Sequence, residues 1–94
     1  MKFHTVSVRK FTSLLRSLGF EEDRGKDHIF FYFRYESRIV IRTKISHGAT
    51  EISQPLLGLI GQQLKLDRGE LEQLLQGQIS RTDYENLLRS KGVC

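Results

Sequence analysis

Two neighbouring runs of the chain, residues 27–35 and 38–45, are rich in aromatic and β-branched side chains and read as strands. Alternate residues of a strand share a face. That rule puts His28, Phe30, Tyr32 and Arg34 on one surface of the first run, and Arg38, Arg42 and Lys44 on the same surface of the second. Cations interleaved with aromatic rings suit nucleic acid: the cations neutralise phosphates, and each ring can stack on a splayed base for about 1–3 kcal/mol. The same pattern also fits a solvated face with cross-strand cation–π pairs, or an aromatic patch covered by a partner or by the carboxy-terminal segment.

His28 adds a group able to give and take protons near neutral pH, the property needed to cleave RNA through its own 2′-hydroxyl. Lys26, just before it, can supply charge to a phosphate. Asp27 is adjacent in the strand and points to the opposite face, so it is not placed to orient the imidazole. His47, in Ser46-His47-Gly48, is expected near His28 because Ser46 falls opposite His28 in the preferred pairing. It is either half of a two-histidine arrangement or a plain loop histidine beside a turn glycine. His4, His28 and His47 have no recognisable metal-ligand spacing, so neither metal nor other cofactor is expected. Gly25-Lys26 lacks the glycine framework of a phosphate loop. Cys94, the single cysteine, has no neighbouring base and no disulfide partner.

The elements that must position these groups are marked. Ser7 is a fitting N-cap, Val6 and Phe11 can form a hydrophobic staple, and Val8, Phe11, Leu14, Leu15 and Leu18 recur at helical spacing up to Gly19. Arg9, Lys10 and Arg16 fall away from that stripe, toward solvent. Phe20 to Arg24 then reads as a short strand and Gly25-Lys26 as a turn. The odd-numbered residues of the two longer strands, from Ile29 to Tyr35 and from Ile39 to Ile45, are the more apolar and should face the core. A two-residue Glu36-Ser37 loop would pair Phe31 with Arg42 and bring bases to that face. A three-residue loop over 36–38 pairs Tyr35 with Ile39 and Phe33 with Ile41, and sets Phe30 across from Lys44. The longer loop is therefore expected, since neither Glu nor Ser favours the positive φ of a tight turn.

The remainder reads as helical. Pro55 opens one helix carrying Leu56, Leu57, Ile60 and Leu64. Asp67 with Glu70 suggests a capping box for a second, with Leu71, Leu74 and Leu75, ended by Gly77. Ser80 or Thr82 caps a third with Tyr84, Leu87 and Leu88. The expected class is α+β: an α-β-β-β-α core (1–66), its three-stranded antiparallel sheet covered on one face by helices, and two further helices (67–94) in one domain. Those last helices either enlarge the core or cross the basic face and mask it.

Composition bounds the function. At 94 residues with 38% apolar and 28% charged content, the chain suits one small folded domain. No stretch approaches the roughly 18 apolar residues of a membrane span, and the amino terminus has no apolar signal region, so a cytoplasmic protein without a membrane role is expected. The net charge of +4 is uneven. Residues 1–47 hold ten Lys/Arg against five acids, and residues 48–94 hold five against six. A basic first half suits a polyanionic partner.

The stretch from Val8 to Leu66 resembles the HicA-type toxins, small ribonucleases of toxin–antitoxin systems with a fold like the double-stranded-RNA-binding domain. The likeness rests on Leu18-Gly19-Phe20, Arg24, Gly25-Lys26-Asp27-His28 and the strands 29–33 and 39–43. In the family a Gly-Ser-His turn carries the catalytic histidine, and His28 matches it. Here Asp27 stands where serine is usual, and Lys26 separates it from Gly25. The resemblance implies metal-independent cleavage of mRNA, checked by a cognate antitoxin that covers the site. The expected assignments are His28 as general acid/base and Lys26, Phe30, Tyr32, Arg34, Arg38, Arg42, Lys44 and His47 as RNA contacts. The rival readings are a non-catalytic RNA-binding module using the same face, and an interaction protein packing a partner or a second copy through Leu71, Leu74, Leu75, Leu87 and Leu88.

Overall fold

The computed structural model describes residues 5–94; residues 1–4, His4 among them, lie outside it. The elements are β1 (Val6–Ser7), α1 (Val8–Ser17), β2 (Glu21–Arg24), β3 (His28–Tyr35), β4 (Arg38–Ser46), β5 (Glu51–Ile52), α2 (Gln54–Gln63), α3 (Arg68–Leu75) and α4 (Arg81–Ser90). The fold is α+β. A three-stranded antiparallel sheet runs β2-β3-β4, and a separate two-stranded sheet pairs β1 with β5. This second sheet was not expected: each of its strands is too short to carry a periodic signal, and their pairing is a tertiary event.

Helix boundaries follow local chemistry. The Ser7 hydroxyl accepts a 3.1 Å hydrogen bond from the Lys10 amide. Complete capping boxes join Asp67 to Glu70 and Ser80 to Asp83. The four helices described all stop in the same way, with one residue of positive φ and a reversed pair of hydrogen bonds. After α1 that residue is Gly19 at φ 94°, with Gly19 N–H on the Arg16 carbonyl and Phe20 N–H on that of Leu15. After α2 the position falls to Lys65 at φ 63°.

Alternation along β3 and β4 decides where the core lies. Ile29, Phe31, Phe33, Ile41, Thr43 and Ile45 are all buried on one face. They pack with Phe11, Leu15 and Leu18 of α1, Leu57 and Ile60 of α2, Leu71, Leu74 and Leu75 of α3, and Tyr84 and Leu88 of α4. Tyr84 stands edge-on to Phe33 at 5.0 Å between ring centroids, and its hydroxyl donates a 2.8 Å hydrogen bond to the Leu64 carbonyl. The carboxy-terminal helices thus enlarge the core on the covered face of the sheet. They do not mask the other.

The β3–β4 connection corrects the expected loop. Tyr35 pairs with Arg38, so the turn is the two-residue Glu36-Ser37, with φ of 51° and 69°. Both residues accept the left-handed conformation that a tight hairpin requires. The core pairing is nevertheless kept, because a register shift opposite Phe33 and Arg34 leaves Val40 as an extra residue in β4. Beyond this bulge Phe33 faces Ile41, Tyr32 faces Arg42, Phe30 faces Lys44 and His28 faces Ser46. On the turn side of the bulge the faces exchange. Ile39, expected in the core, pairs with Arg34 on the outer face, while Val40 packs against the core.

Candidate nucleic-acid interface

The outer face of the β2-β3-β4 sheet is built from the side chains that alternate with the core. His28, Phe30 and Tyr32 are half-buried there, and Arg34, Arg42 and Lys44 are exposed. Phe30, Tyr32, Ile39, Arg42 and Lys44 line a shallow open depression of about 510 Å³, with Gln63 of α2 at its margin. The margin is anchored: buried Thr43 donates a 2.6 Å hydrogen bond to the Gln63 side-chain oxygen. His28 continues the aromatic row, its ring 6.1 Å from that of Phe30.

The cations of this face differ in availability. Arg34 donates from Nε to Glu21 at 2.7 Å, so its charge is partly answered within the sheet. Glu21 and Asp23 of β2 pair with Tyr32 and Phe30, which makes the β2 side acidic. Arg42 and Lys44 project from β4 and form no hydrogen bond or ion pair among the described residues. The free positive charge therefore lies along β4, next to the two rings.

Two sequence candidates leave this face. Arg38 pairs with Tyr35, and the bulge carries it to the side of the odd-numbered residues. His47 follows Ser46, the partner of His28, and its amide donates 2.8 Å to the Asp27 carbonyl. Its side chain lines a different cleft, on the covered side of the sheet together with Ile29. His28 and His47 are thus near in the ladder and divided by the sheet, so the two-histidine arrangement is not formed. Lys26 is exposed in the turn that closes when the Gly25 amide donates 2.9 Å to the His28 carbonyl. A Cβ at Gly25 would meet that carbonyl oxygen and the Phe30 ring, both at 3.2 Å, so glycine lets the turn sit against the aromatic row. Among the described residues no ion pair or hydrogen bond joins Asp27 to His28, and no group of three or more His, Cys, Asp or Glu could hold a metal ion.

The cleft that receives His47 holds Arg9 and Arg16, which the helix pattern turned toward solvent, and Arg24, which the sequence singled out only through the family resemblance. Arg9, Thr12 and Arg16 line it from α1, Arg24 from the end of β2, and His47 to Thr50 from the β4–β5 connection. The one available sequence signal was the spacing of Arg9, Thr12 and Arg16, which places them along one side of a helix. Their meeting with Arg24 and His47 is set by the tertiary fold.

Compared with protein-family models, with curated proteins and with solved structures, the chain matches none. Among the described residues no helix is long and apolar enough to cross a membrane.

Proposed function

We propose that this chain is a HicA-like, RNA-directed protein that binds single-stranded mRNA across the outer face of its sheet. One observation carries the reading: the helices pack on the opposite face, leaving the half-buried rings of Phe30 and Tyr32 to line an open depression beside Arg42 and Lys44, which are unpaired among the described residues. Flat rings can stack on unpaired bases, and two cations on the adjoining strand can follow the phosphates. Such a protein acts in the cytoplasm, and a cognate antitoxin would silence it by covering the same face.

A second reading is favoured by the position of His28, at the end of that row and beside the Lys26 turn. RNA lying on Phe30 and Tyr32 would bring a phosphodiester to the imidazole. His28 would then take the 2′-hydroxyl proton as the 2′-oxygen attacks phosphorus and the P–O5′ bond breaks. The imidazolium, or water, would return a proton to the departing 5′-oxygen while Lys26 offsets charge on the phosphate, leaving a 2′,3′-cyclic phosphate and a 5′-hydroxyl end without a metal.

Fluorescence anisotropy with a labelled single-stranded RNA tests the binding surface. Phe30→Ala or Tyr32→Ala should weaken binding by about tenfold, the loss of one stacking contact, with circular dichroism confirming the fold. Lys44→Gln should flatten the salt dependence by about 0.7 in slope, one phosphate contact on a single strand. Unchanged affinity in both ring variants would refute the reading.

A further inference from the structure

The cleft between α1 and the β4–β5 connection is lined by three arginines. Arg9 and Arg16 stand on the side of α1 that carries buried Thr12; Arg24 reaches in from β2; His47 and Thr50 close the far wall. Among the described residues Glu22 is the one carboxylate that pairs with these arginines. It bonds the Arg16 Nε and lies 3.7 Å from an Arg24 terminal nitrogen. A guanidinium has five N–H donors, so this carboxylate fixes the direction of two arginines and leaves most of their donors unspent. Arg9 has no partner among the described residues.

Three guanidinium charges against one carboxylate leave a net charge of two positive units. An internal phosphodiester of a nucleic acid carries one negative charge, whereas a phosphate monoester carries about −1.5 to −2 near pH 7. Val8 and Arg9 line the cleft, so the positive end of the α1 dipole lies there, with the Val8 amide spent on the Thr50 carbonyl and the Lys10 amide on the Ser7 hydroxyl. The space is about 550 Å³, within the usual range for a small ligand. Because the cleft and the aromatic row lie on opposite sides of the sheet, the two can be occupied independently.

We infer that this cleft is a binding site for a phosphate monoester, held by Arg9, Arg16 and Arg24. The monoester is that of a free mononucleotide or of an RNA strand end. Arg9, Arg16 and Arg24 supply the donors, and Glu22 ties Arg16 to Arg24 beside the cleft. The inference stands apart from RNA binding on the outer face.

Nuclear magnetic resonance on the isotopically labelled full chain tests it, with inorganic phosphate as the first probe. Phosphate should shift the amides of Arg9, Gly48 and Thr50 saturably. Arg9→Gln and Arg24→Gln, both at exposed positions, should each weaken that binding by about tenfold. Lys10→Gln removes the same charge from the same helix outside the cleft and should leave binding unaltered. Adenosine monophosphate against adenosine, and an oligonucleotide with a 5′-phosphate against its 5′-hydroxyl form, then identify the source. Read at the cleft amides alone, a stronger response to the 5′-phosphate oligonucleotide than to both its 5′-hydroxyl form and the mononucleotide assigns a strand end; a response no stronger than that to the mononucleotide assigns the free nucleotide. The inference is overturned if phosphate gives no saturable shift at these amides, or if Lys10→Gln weakens binding as much as Arg9→Gln.

Discussion

His28 stands directly opposite Ser46 in the β3–β4 ladder, and that pairing turns His47 to the far side of the sheet. One imidazole, not two, belongs to the aromatic face. If this face cleaves RNA, a single histidine serves the proton transfers there. His28→Ala should then reduce cleavage of labelled single-stranded RNA in excess EDTA by about 10²–10⁴-fold, while RNA affinity stays near the wild-type value. Equal cleavage by both proteins would remove His28 from the chemistry.

Ser37 sits at φ 69° in a turn that suits glycine better than any residue with a Cβ. Ser37→Gly should raise stability by about 0.5–1 kcal/mol, the relief of left-handed strain less the added chain entropy. Urea denaturation reads this directly, and a lower midpoint would contradict a tight two-residue turn.

Tyr84 couples α4 to the end of α2 through its bond to the Leu64 carbonyl. Tyr84→Phe should cost about 1–2 kcal/mol, because a buried acceptor loses its donor. Burial, with a smaller repulsion from Cys94, pushes the Tyr84 phenol well above its ordinary value of 10.0. The unfolded chain therefore loses this proton first. The stabilising contribution is complete below about pH 10 and is lost as pH rises above it. Thermal melts of wild type should fall more steeply above pH 10 than those of Tyr84→Phe.

Helices α3 and α4 insert Leu71, Leu74, Leu75, Tyr84 and Leu88 into the same core as the sheet. Deleting one buried leucine commonly costs about 2–5 kcal/mol, and small domains hold only about 5–15 kcal/mol in total. A fragment of residues 1–66 should lack cooperative unfolding by circular dichroism. A folded fragment would mean that the covered face is complete without these helices.

Much of the architecture was legible because local chemistry and tertiary packing agree. Ser7 and Gly19 bracket α1, the Asp67–Glu70 and Ser80–Asp83 boxes open α3 and α4, and strict alternation from Ile29 to Phe33 assigns the core face. The turn misled because Glu36 and Ser37 adopt a conformation their side chains disfavour, and the bulge at Val40 then restores the register that a longer loop would have given. That compensation also moved Arg38 and Ile39, which no strand pattern encodes. The candidate site divided along the same line. Phe30, Tyr32, Arg42 and Lys44 share a face by simple alternation, whereas Arg9, Arg16, Arg24 and His47 come from distant parts of the chain and meet only in the folded molecule.

The order of the sheet has a consequence for how the protein survives in concentrated solution. Strand β3 holds six consecutive residues, Ile29 to Arg34, of which five are aromatic or branched apolar, the composition of a segment prone to amyloid stacking. It is the middle strand, hydrogen-bonded on both edges. On one flank lies β2, with Glu21, Glu22 and Asp23 in succession; on the other lies β4, bent at Val40 and carrying Arg42 and Lys44. The edges of this sheet are thus an acidic strand and a kinked basic one, both poor templates for fibril growth. The charged residues that offer a surface to RNA also act as gatekeepers for the aggregation-prone strand between them.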